Sequence, residues 1–118
     1  MNMIWLWLSA ITMTLTALVH SILGEKRLIK PLLALDNEIM RQPLARKIVR
    51  FAWHFTAILM ILSALIVVWP GSPSTLIAMT GALWLAIGLF DAAYTRGQHI
   101  GWPFLAAAGA FALIGTMT

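Results

Sequence analysis

Residues 51–73 read "FAWHFTAILMILSALIVVWPGSP", and the fold turns on this stretch. From Phe51 to Trp69 there is no Asp, Glu, Lys or Arg, and the two prolines and glycine that follow stop a helix and turn the chain. At 1.5 Å rise per residue, a helix over 51–69 approaches the roughly 30 Å thickness of a bilayer's hydrocarbon layer. Its one titratable side chain, His54, stands in the first turn of that run.

Three more stretches have the same character. They cover about 3–23, 75–94 and 102–118, the last with Pro103 tolerable in a first helical turn. The whole chain of 118 residues is 61% hydrophobic and 10% charged, with mean hydropathy +0.89. A water-soluble domain of this length cannot hide so much apolar surface, whereas hydrocarbon solvates it directly. The expected fold is therefore all-α: a single polytopic domain, 1–118, forming an antiparallel bundle of four transmembrane helices. The N-terminal run has no basic leader and is longer than a signal peptide's apolar segment, so it is read as an uncleaved first span. The absence of cysteine excludes disulfides, zinc–thiolate sites and thiol redox chemistry.

Orientation follows from Lys and Arg. The link 24–50 carries Lys26, Arg27, Lys30, Arg41, Arg46, Lys47 and Arg50; Arg96 lies between spans three and four; the turn between spans two and three has none. Both basic links are expected in the cytoplasm and both termini outside, in a plasma membrane of the bacterial inner-membrane kind. Trp5, Trp7 and Trp69 then fall at the outer interface and Trp53 and Trp102 at the inner one, while mid-span Trp84 packs on another helix. The net charge of +4 flanks apolar runs and is matched to anionic lipid headgroups rather than nucleic acid, with Lys26, Arg27, Lys30, Arg46, Lys47 and Arg50 as the contacting residues. Within the link, "PLARKIVR" (43–50) is expected to start the second helix below the membrane, with Pro43 in its first turn. The preceding "LIKPLLAL" (28–35) is either a segment lying in the headgroup layer or a plain connector.

This topology sends every rare ionisable group to one face. His20 ends span one, His54 begins span two, Asp91 ends span three, His99 precedes span four, and Glu25 follows His20 closely. Charged groups inside spans cost about 2.5–3.5 kcal/mol at mid-helix and turn inward to find partners. Three imidazoles with one or two carboxylates suit a borderline divalent metal (Zn, Fe or Cu), with haem a lesser candidate. The metal-ligand expectation is His20, His54, His99, Asp91 and Glu25, the carboxylates either ligating or orienting the histidines. For Asp91 a structural partner among Arg50, Arg96 or a histidine accounts for the residue equally well.

Two further patterns bear on function. Ser9, Thr12, Thr16 and His20 share one helical face, which is either a polar pathway across the bilayer or a set of hydroxyls bonded to carbonyls. Gly81, Trp84, Gly88 and Asp91 share another face, and Ala108, Ala112 and Gly115 or Thr116 line one side of span four. Small residues at that spacing let helices approach closely, inside the chain, in a homodimer, or against a larger membrane partner.

The expected function is ligand binding, foremost a metal ion, by the cytoplasmic-side cluster in the service of transport, sensing or redox chemistry. The alternatives are an oligomeric ion- or proton-coupled channel or transporter, and an accessory subunit of a larger membrane complex. No phosphate loop, GxSxG elbow, CxxC or HExxH is present. Ser21 is next to His20, but adjacent helical side chains point about 100° apart, so these two do not form a nucleophile and base. The enzymatic reading left is a His–carboxylate centre, His20 with Glu25, facing a substrate headgroup.

Overall fold

The computed structural model describes residues 1–118 as helices joined by turns, with no strand. Helix α1, Met3–Gly24, is capped by Asn2, whose Oδ1 accepts the Ile4 N–H at 3.1 Å. Gly24 keeps ordinary right-handed helical geometry, and Glu25, Lys26 and Arg27 continue it as a π turn, Glu25–Ile29, before the short α2, Lys30–Leu33. The sequence places the end of this helix near residue 23; it runs on as one rod to Leu33. The charges leave the apolar run at Glu25, but nothing there breaks a helix, so hydropathy and backbone end at different residues. Helix α3, Pro43–Val68, starts on Pro43, and Pro70 and Pro73 bracket the turn into α4, Ser74–Tyr94. The last helix is α5, Trp102–Met117.

Three helices, Met3–Leu33, Pro43–Val68 and Ser74–Tyr94, are long and apolar enough to cross a membrane. The fourth is apolar but has 16 residues, about 24 Å of helix against roughly 30 Å of hydrocarbon.

The helices stand in the order α3–α1–α5–α4. Helix α1 packs along both α3 and α5, α5 packs along α4, and α3 touches α4 only sparsely. The Cα extents are 53 × 31 × 19 Å. Four helices side by side at 8–10 Å spacing span about 30 Å, so the molecule is closer to a slab than to a square bundle. Helix α1 thus has two neighbours along its length, while α3 and α4, joined by a short turn, make little contact with each other.

Small residues set the spacing. A Cβ on Gly88 would stand 2.4 Å from the Ala106 nitrogen, and one on Gly109 would stand 2.3 Å from the Leu85 nitrogen, so α4 and α5 touch backbone to backbone. Gly115 makes room for the Leu6 side chain, whose Cδ2 would lie 2.5 Å from a Cβ there, and the Asn2 N–H donates to the Gly115 carbonyl at 2.8 Å. Ala108 and Ala112 are fully buried, so the small-residue side of α5 is occupied within the chain by α1 and α4. Leu6, Met13, Val67, Ile77 and Trp84 complete this core. A second cluster, Ile29, Leu33 and Met40 packed on Val49 and Trp53, folds the link onto α3. Elsewhere large apolar side chains face outward, among them Ile4, Ile58, Leu83 and Phe90.

Candidate functional site between α1 and α3

At the end of the molecule that bears the basic link, two pairs of residues four apart face each other. Ser21 and Glu25 stand on one side of the first rod, Arg50 and His54 on the matching side of α3. A spacing of four places both members of each pair on one helical face. His54 Nδ1 lies 2.9 Å from Ser21 Oγ, and His54 Nε2 lies 3.3 Å from Glu25 Oε2. The other Glu25 oxygen, Oε1, forms an ion pair with Arg50, 2.8 Å from its Nε. A carboxylate only accepts, so in a neutral imidazole the proton sits on Nε2, toward Glu25, and Nδ1 accepts from the Ser21 hydroxyl. Ser21, His54 and Glu25 thus form one hydrogen-bonded chain, which the ion pair with Arg50 extends. It is half-buried: the side chains of Glu25 and His54 are 22% and 36% exposed, so the site is open to a ligand.

Beside it, His20 and Trp53 hold the two helices together. Their rings stack at 4.0 Å between centroids, His20 Nε2 donates to the Trp53 carbonyl at 3.0 Å, and Trp53 Nε1 donates to the His20 carbonyl at 2.9 Å. Gly24 makes room for this indole: a Cβ there would lie 2.3 Å from Trp53 Nε1.

Two other members of the expected cluster pair with each other. Asp91 bonds His99 Nδ1 across the α4–α5 connection. In the same connection the Thr95 hydroxyl donates to the Asp91 carbonyl at 2.7 Å, and Arg96 and Gly97 adopt left-handed backbone angles, φ 53° and 76°. The partner of Asp91 is therefore a histidine, and the pair fastens a turn. No three of the chain's His, Asp and Glu side chains are gathered in a geometry that holds one ion. His54 and Glu25 meet; His20 is turned to Trp53; Asp91 and His99 pair separately.

Of the polar stripe, Thr12 donates to the Leu8 carbonyl and Thr16 to the Thr12 carbonyl, each within α1, while the buried Ser9 crosses to the Ala108 carbonyl at 2.7 Å. Of the basic residues, Lys26, Arg27 and Lys30 are exposed along the rod's extension. Arg46 donates to the Leu33 carbonyl, closing the end of α2. Lys47 and Arg50 line an open groove of about 890 Å³ with Arg41 and Arg46; its apolar wall includes Leu33, Leu35, Met40 and Phe51, and its one acidic residue is Asp36. Arg50 belongs to both the groove and the His54 chain.

Sequence reasoning weighed Ser21 only against its neighbour His20 and read Trp53 only as an interfacial ring. The available signal was the repeated spacing of four, Ser21/Glu25 and Arg50/His54, on two helices joined by one link. Comparison of the chain with protein-family models, with curated proteins and with solved structures returned no match.

Proposed function

We propose that the protein spans a bacterial plasma membrane with the basic link in the cytoplasm and both ends outside, and that it binds an anionic phospholipid headgroup in the groove beside Arg50. The outward apolar side chains of α1, α3 and α4 suit contact with lipid, and all eight Lys and Arg fall in the two links assigned to the cytoplasm. The observation that carries the reading is the groove itself. Four cations, Arg41, Arg46, Lys47 and Arg50, line it above an apolar wall. Arg41 pairs with Asp36 and Arg50 with Glu25, Arg46 bonds backbone carbonyls, and the set keeps a net positive charge with Lys47 outside any ion pair. A phosphate among the cations with acyl chains along Leu35 and Phe51 satisfies both surfaces, each nearby cation contributing ~1 kcal/mol.

Titration of delipidated protein in detergent tests this. Phosphatidylglycerol raises the melting midpoint more than phosphatidylcholine does, high salt removes the difference, and an Arg41→Gln/Lys47→Gln double variant loses it. Equal shifts with both lipids contradict the reading.

One observation favours a second reading, a divalent ion such as zinc, iron or copper on His54 and Glu25. Their 3.3 Å separation equals the spacing of two ligands about 2.1 Å from a shared tetrahedral ion. Elemental analysis of untagged protein decides it: stoichiometric metal in the wild type and none in His54→Ala supports the ion, and none in either removes it.

A further inference from the structure

Most hydroxyls in these helices have the same partner. Thr12, Thr14, Thr16, Thr56, Ser63 and Thr80 each donate to the carbonyl four residues earlier, the ordinary arrangement in apolar helices. Ser21 does not. Its Oγ reaches across to His54 Nδ1 at 2.9 Å, and the far nitrogen of the same ring reaches Glu25 at 3.3 Å. A hydroxyl on an imidazole nitrogen, with the imidazole oriented through its other nitrogen by a carboxylate, is the general geometry of an activated serine nucleophile. Arg50 holds one Glu25 oxygen and leaves the second for His54, which fixes the ring's tautomer.

We propose that Ser21, His54 and Glu25 form an acyl-transfer site that acts on ester bonds of molecules partitioned at the membrane surface. Ser21 Oγ attacks the ester carbonyl carbon while its proton passes to His54 Nδ1. The ester C–O bond breaks, and the departing alcohol takes that proton. Water then attacks the acyl-serine through the same base, releases the carboxylic acid and restores Ser21, so the net reaction is ester plus water to acid plus alcohol. Glu25 is a positioning residue: it holds the ring and stabilises the imidazolium formed in each half-reaction. The substrate class is a carboxylic ester with an apolar acyl chain, because the site opens between a basic link and apolar helix faces, and Ser21 and His54 are both partly exposed there. This inference rests on the Ser21–His54–Glu25 geometry and not on what fills the neighbouring groove, and lipid binding is read by a separate titration.

The test uses the full chain in neutral phosphatidylcholine vesicles, with an alkyl fluorophosphonate as covalent probe and a p-nitrophenyl decanoate ester as substrate. Peptide mass spectrometry finds the phosphonyl group on Ser21; Ser21→Ala abolishes labelling and ester turnover, and His54→Gln and Glu25→Gln slow both at least ~10-fold. Ser63→Ala, which alters a hydroxyl bonded to its own helix, leaves both unchanged. A second measurement guards against a probe that fits poorly. In Ser21→Cys the thiol is alkylated by iodoacetamide faster than in Ser63→Cys, and His54→Gln removes the advantage. Absence of Ser21 labelling together with Ser21→Cys reactivity indifferent to His54, in protein whose melting midpoint is unchanged, overturns the proposal.

Discussion

His20 and Trp53 each bond the other's backbone carbonyl, at 3.0 and 2.9 Å, while their rings stack at 4.0 Å. This reciprocal clasp fixes the register of α1 against α3, and that register sets Ser21 and Glu25 opposite His54 and Arg50. Replacing the indole by a smaller aromatic ring without a donor tests the clasp. Trp53→Phe keeps much of the apolar contact but leaves the His20 carbonyl unpaired, and is expected to cost about 1–3 kcal/mol. Thermal unfolding in detergent checks it; an unchanged midpoint would show that the clasp contributes nothing.

Gly24 faces that indole, with no room for a methyl group at 2.3 Å from Trp53 Nε1. Because the ring is held on both faces of the clasp, Gly24→Ala should displace it. The expected readouts are a changed tryptophan fluorescence spectrum and a loss of about 1–3 kcal/mol. Normal fluorescence and stability would mean that α1 and α3 stand further apart than described.

At the other interface Gly109 lies against backbone: its Cβ would stand 2.3 Å from the Leu85 nitrogen and 2.5 Å from the Gly81 oxygen. Neither atom can rotate away, so Gly109→Ala forces α4 and α5 apart. We expect a destabilisation of about 1–3 kcal/mol, measured as a lowered melting midpoint with helical content retained before the transition. Wild-type stability in this variant would disprove the close approach.

The chain has no cysteine, so single cysteines report topology cleanly. With the basic link inside, Gln42→Cys in intact cells should resist a membrane-impermeant maleimide until the membrane is opened, whereas Ser74→Cys should react at once. The reverse pattern would invert the proposed orientation.

The helices were legible because unbroken apolar runs and the "WPGSP" turn are local signals. The end of the first rod was not, since Glu25 to Leu33 continues a helix after hydropathy has fallen, and a hydropathy boundary carries no information about backbone geometry. Helix order was also hidden. Four helix mouths at one face suggested a single gathering of His20, His54, Asp91 and His99, but in the order α3–α1–α5–α4 His54 pairs with Ser21 and Glu25 while Asp91 pairs with His99. Backbone contact at Gly88 and Gly109 creates that order, and sequence spacing shows that such faces exist without showing which helix each one meets. Ser21 was set aside because its neighbour His20 points away from it. Its partner comes from α3, through a register fixed by Trp53.

The central claim is that His54 stands in a hydrogen-bonded chain between Ser21 and Glu25, and nitrogen-15 NMR of histidine-labelled protein in lipid reads this directly. The account predicts a neutral His54 ring with its proton on Nε2 and an accepting Nδ1, the Nδ1 resonance shifting in Ser21→Ala and the Nε2 resonance in Glu25→Gln. A His54 spectrum of averaged tautomers, indifferent to both substitutions, would contradict it.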